Sequence, residues 1–153
     1  KALGLEERPL GPPSQGKVTA RDTYRAILDG KPYKVRALVA FGTNHLVTQA
    51  DTRIAEAAMK ALEFHVHCDL FETPSARYAD ILLPVCSPWE REGLRAGFEI
   101  NERAAAWVQW RARIVPPQHE SRSDMEIVFQ LAQRLGLGEH FFDGDTEIGR
   151  AHV

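Results

Sequence analysis

The sequence holds only two cysteines, Cys68 and Cys86. That is too few for a disulfide framework, and they lack the CxxC spacing and the histidine partners of a structural zinc site. No apolar run approaches the roughly 20 residues needed to cross a bilayer, the longest being Val35 to Phe41 and Ile81 to Cys86, so no membrane span is expected. Positive charge is not in surplus: 19 Lys and Arg are interspersed among 21 Asp and Glu, for a formal net charge of -2. A basic stripe is therefore missing, which removes nucleic acid as a partner class. No GxGxxG run is present, so the ordinary NAD-type fingerprint is excluded. No internal repeat or low-complexity tract breaks the chain.

What is there suits a globular protein that organises by burial: 153 residues, 44% hydrophobic and 26% charged. Gly11, Pro12, Pro13 and Gly16 interrupt regular structure near the start, so residues 1–18 read as a linker or extended segment and 19–153 as a single domain. Lys1 is not a methionine, and the opening has no apolar signal-type core, so the chain reads as starting within a longer polypeptide. Any targeting signal would then lie upstream. The compartment stays open between cytoplasm and, for an exported parent, periplasm.

The periodicities alternate. Thr19 with Asp22 resembles a capping box, and Tyr24, Ile27 and Leu28 share a helical face that ends at Asp29-Gly30. Val35 to Phe41 is a compact apolar run ended by Gly42, as for a strand covered on both faces. Asp51 is placed to cap a helix whose apolar face is Ile54, Ala58, Met59 and Leu62. Phe64 to Phe71 reads as a second strand, Thr73 to Tyr78 as a short helix and Asp80 to Val85 as a third strand. This order predicts an α/β fold, Rossmann-like and doubly wound around a mainly parallel sheet. Residues 87–101 read as a loop with a helical turn. Val108 to Ile114 alternates as a half-exposed strand outside the main sheet, and Ser123 with Glu126 opens a last helix.

Polar residues after a buried strand are the first candidates for binding, because ligands in open α/β sheets sit beyond the carboxyl ends of the strands. Gly42, Thr43, Asn44 and Thr48 occupy that place after the first strand. The plainer alternative is that Asn44 only tolerates an awkward turn. His65 and His67 share a strand face and form half of a metal chelate, but no third ligand is spaced to match, so polar residues at the sheet's carboxyl edge are the better account. Asp80 at the start of the third strand suits either a turn cap or a base-binding carboxylate. Glu90 and Glu92 are two apart and do not face one another, so they make no acid pair, and nearby arginines are expected to solvate them. Asp143-Gly144-Asp145 begins like a calcium loop without the rest of its ligands, and reads as a turn.

Three segments, VRALVAFGTNHLVTQADT, FHVHCDLFETPSARYADILLP and SPWEREGLRAGFE, resemble in order and spacing the third domain of the molybdopterin oxidoreductases, the family of formate dehydrogenases, nitrate reductases and dimethyl sulfoxide reductases. The likeness runs over roughly residues 33–137. Two departures stand out: Ser75 replaces a frequent Thr, and His45 replaces the proline of a Gly-x-Asn-Pro loop. The resemblance implies a cofactor of molybdenum or tungsten held by molybdopterin guanine dinucleotides. Gly42, Asn44 and Thr48 would line its guanosine-phosphate pocket, with Cys68 or Asp69 and Asp80 nearby. It places the metal ligand and the iron-sulfur cysteines upstream, so the isolated chain is expected to be inactive. It further implies contacts with other domains of the same parent chain and with an electron-transfer subunit. Two other readings remain: a non-enzymatic scaffold domain like that of the large iron-sulfur subunit of respiratory complex I, and a free-standing nucleotide-binding module.

Overall fold

A computed structural model describes residues 3–96 and 101–140, and the chain divides into two compact units, Lys1–Leu83 and Pro84–Val153. In the first unit, helix α1 spans Ala20–Leu28. Thr19 caps it as its spacing predicts: the hydroxyl oxygen accepts from Asp22 N at 3.3 Å and its proton goes to the Asp22 carboxylate at 2.6 Å. Strand β1 (Ala37–Phe41) leads through a single turn, α2 (His45–Thr48), into helix α3 (Thr52–Ala61). Asp51 caps α3 by accepting from Ile54 N at 3.3 Å. Strand β2 (Phe64–Asp69), a 3-10 turn (Pro74–Tyr78) and strand β3 (Ile81–Pro84) follow.

The three strands form one parallel sheet in the order β1-β2-β3, so the α/β reading of the sequence holds. The register pairs Leu38 with His65, Ala40 with His67 and Phe41 with Cys68. α3 makes the crossover that a parallel pair requires. β1 starts two residues later than the apolar run, because Val35 N donates to Ala26 O at the end of α1 and not to the sheet. The core lies on one face of the sheet, where Tyr24, Ile27, Leu46, Ala55, Ala58 and Met59 pack together with Leu38. Alanines on α3 let α1 come close, which is why short side chains dominate that face.

The opening segment is packed down, although its Pro and Gly content suggests a loose linker. Leu3 is buried, Arg8 N donates to Gly4 O at 3.0 Å, and the Arg8 guanidinium pairs with the buried Asp22 carboxylate. A buried carboxylate needs such a partner, and composition does not disclose where the partner comes from.

In the second unit, β4 (Gly93–Ala96) pairs antiparallel with β5 (Val108–Arg111), with α4 (Glu102–Ala105) between them in sequence. The expected turn in residues 87–101 is present, since Glu90 N donates to Ser87 O at 3.1 Å, but β4 corrects the rest of that loop reading. Its partners, Trp110 for Leu94 and Val108 for Ala96, are distant in sequence, so local periodicity could not show it. β5 lies outside the parallel sheet, as expected, but it ends at Arg111 and its apolar Val108 and Trp110 are both exposed, so the half-exposed alternation over 108–114 does not hold. Helix α5 (Asp124–Arg134) is capped by Ser123, whose hydroxyl accepts from Glu126 N at 3.2 Å. Residues 97–100 of the expected loop and the Asp143-Gly144-Asp145 turn lie outside the described residues.

Candidate functional site

β1 ends because Gly42 takes a left-handed φ of 53°, a conformation that costs little only for glycine. Its N–H donates to Cys68 O at 2.9 Å, which joins the carboxyl ends of β1 and β2. A Cβ added to Gly42 would meet nothing within 4 Å, so the turn opens onto free space. Thr43 and Asn44 follow, both half-buried. The Asn44 carbonyl accepts from Val47 N (3.0 Å), Thr48 N (2.9 Å) and the Thr48 hydroxyl (2.9 Å). The Thr48 proton is thus engaged within the loop, while its oxygen keeps lone pairs for another group. Beside this loop, Asp69 ends β2. One of its carboxylate oxygens accepts from Leu70 N at 2.7 Å and the other lies 3.4 Å from His67 Nε2.

Gly42, Thr43, Asn44 and Thr48 are therefore brought to one sheet edge with Cys68 and Asp69. Cys68 serves there through its backbone carbonyl, and its side chain is buried. Asp80 is not brought to this edge. It precedes β3 at the opposite end of the sheet, where its carboxylate accepts from His65 N at 2.7 Å and Asp80 N donates to His65 O at 2.8 Å.

The histidines are likewise not at the edge. His65 and His67 share the face of Leu38 and Ala40, fully buried, with their rings edge to face 5.6 Å apart. His65 Nδ1 lies 3.2 Å from Tyr78 O, so that nitrogen carries the proton. His65 Nε2, His67 Nδ1, His45 Nδ1 and Tyr24 Oη are buried with no hydrogen-bond partner among the described residues. Together these groups make a polar layer within the core. Among the described residues no group of three or more His, Cys, Asp or Glu is arranged to hold a metal ion.

Burial pushes the imidazole of His65 below its ordinary value of 6.5, and burial followed by the nearby His65 and His67 does the same to His45. Both groups are depressed bases, so below about pH 6.5 the unfolded chain binds more protons than the folded one and stability falls. The urea midpoint is therefore expected to be lower at pH 5.5 than at pH 7.5. Depressed carboxylates such as Glu56 beside Lys60 and Glu63 beside Arg36 respond only below about 4.5, outside that window. A midpoint that stays level or rises on acidification would contradict the buried, neutral state of these rings.

Two residues matter more than the sequence suggests. Ser75, fully buried, donates to Asn44 Oδ1 at 2.8 Å and accepts from Leu46 N at 3.1 Å, tying the turn after β2 to the loop after β1. Its only sequence signal is its place in the FETPSARYADILLP run. Glu90 is buried and not solvated by arginines: its carboxylate accepts from Ser87 N at 2.6 Å and Gln118 N at 2.7 Å. A hydrogen bond from the Ser87 side chain, followed by these two backbone bonds, holds its pKa below the usual carboxylate value.

Comparison with known proteins decides the family. The Molybdopterin oxidoreductase profile matches residues 12–134, most of the chain. The chain belongs to the molybdopterin oxidoreductase family. It is 34% identical over 108 residues to dimethyl sulfoxide/trimethylamine N-oxide reductase of Rhodobacter capsulatus, covering 71% of this chain and 13% of that protein. It is 33% identical over 119 residues to the F420-dependent formate dehydrogenase subunit alpha of Methanocaldococcus jannaschii, covering 78% and 17%. Among solved structures, acetylene hydratase from Pelobacter acetylenicus superposes with a TM-score of 0.75 at 28% identity, covering 85% of this chain and 17% of that one. The chain thus spans under a fifth of the length of each of these family members. Membership implies a molybdopterin cofactor. No helix among the described residues is long and apolar enough to cross a membrane.

Proposed function

We propose that this chain supplies part of the guanosine-phosphate cradle of a molybdopterin guanine dinucleotide oxidoreductase. In this reading the molybdenum or tungsten is held by residues outside this chain. The observation that carries the reading is the open sheet edge at Gly42. There a turn with no neighbour over its α-carbon, the loop of Asn44 and the residue Asp69 stand at the carboxyl ends of two parallel strands. Such an edge fits the nucleotide arm: the glycine lets phosphate approach the backbone, and a carboxylate pairs with the N–H edge of guanine. When bound, the metal-pterin centre would supply the two-electron chemistry. This chain's residues would bind and orient the distant guanosine. Asp80 lies outside this cradle and closes the sheet instead. Other domains of the same polypeptide and an electron-transfer subunit are the partners this role requires.

The test is nucleotide titration of the 153-residue chain followed by NMR. GDP is expected to shift Gly42, Thr43, Asn44, Thr48 and Asp69 with an affinity on the order of millimolar, because a partial surface offers little pre-organisation. The same preparation should retain neither molybdenum nor iron. Shifts confined to residues remote from this edge would refute the assignment.

A further inference from the structure

The hydrogen bonds around Ser75 settle which way the Asn44 side chain faces. Leu46 N–H can only donate, so the Ser75 oxygen accepts it at 3.1 Å. The hydroxyl then has one proton to give, and the Asn44 side-chain oxygen takes it at 2.8 Å. With the amide turned the other way, the serine oxygen would face two donors and its buried proton would lose this acceptor. The serine thus engages the amide oxygen and leaves the NH2 group uncommitted to it. The Asn44 carbonyl is already filled by Val47, Thr48 and the Thr48 hydroxyl, so the residue offers a ligand donors only.

A group with donors only recognises an acceptor. Phosphate oxygen is one, whereas the N–H edge of a base needs the acceptor that Asp69 provides. We propose that Ser75 is a positioning residue that orients the Asn44 amide as a phosphate donor, so that the loop after β1 reads phosphate and the end of β2 reads the base. This rests on the reading of the edge as a guanosine-phosphate site. It adds a division of labour and a buried residue that sets it.

Titration of the chain with guanosine and with GDP separates the two contributions, since the ratio of their affinities measures what the phosphates add. Replacing Ser75 by valine or threonine gives two side chains of nearly the same shape that differ in the hydroxyl. Ser75→Thr should keep the phosphate increment. Ser75→Val should lose most of it, about tenfold, with guanosine affinity unchanged within about twofold. A merely structural serine would lower both affinities together.

If the valine variant fails to fold, Asn44→Asp on the half-buried loop carries the test. It can still accept from Ser75 but has no donor, so it should bind guanosine and lose the increment. In the unaltered chain the Asn44 side-chain amide signals should shift with GDP and not with guanosine. An increment that survives in Ser75→Val or in Asn44→Asp would overturn the role of Ser75 while leaving the site standing. No response of the unaltered chain to either ligand would overturn both.

Discussion

Ile27→Ala is expected to cost the first unit about 2–5 kcal/mol of stability. Ile27 is fully buried between Tyr24 on its own helix and Ala55, Ala58 and Met59 of α3. The surrounding alanines have no flexible side chain to fill a new void, so collapse around the deletion is limited and the cavity persists. Ile27→Val removes one methylene and should cost about 0.5–1.5 kcal/mol. The measurement is denaturant unfolding followed by methyl NMR signals of the α1–α3 core. A loss below about 1 kcal/mol for the alanine variant would mean that the two helices close up after all.

Asp69→Asn is expected to remove the preference for guanosine over inosine, which lacks the exocyclic amino group. In the unaltered chain the carboxylate is held by Leu70 N on one oxygen and faces His67 Nε2 with the other, and each oxygen keeps a further lone pair. A charge-assisted pair with a donor edge is worth about 1.5–3 kcal/mol, so guanosine affinity should fall roughly tenfold or more. Inosine should lose less. Equal losses for the two nucleosides would remove Asp69 from base recognition and leave only a structural carboxylate. The contact with the buried His67 Nε2 gives the fold a use for an acceptor at that position in either case.

Sequence alone carried the elements whose pattern is local. Thr19, Asp51 and Ser123 each cap a helix as their spacing predicts, because a cap bonds within three residues of itself. The strands β1 and β2 were legible as short runs between turn signals, but the expectation that β1 is covered on both faces does not hold, since Ala37 and Val39 are exposed while β2 is buried along most of its length. The place of the candidate loop followed from its position after β1, and the family from the order and spacing of three segments.

Only the tertiary structure decided what the polar residues do, because their partners lie far along the chain. Asp80 meets His65 across 15 residues and so closes the sheet's amino end instead of joining the loop. Glu90 meets Gln118 across 28, which buries an acid that looked solvated. Ser75 meets Asn44 across 31 and turns its amide. His65 and His67 alternate with β2 correctly, but period two says only that they share a face, and the register with Leu38 and Ala40 makes that face the core. Propensity and period are properties of a segment. A hydrogen bond is satisfied by whichever group the fold delivers, and that depends on the packing of every element between the two partners.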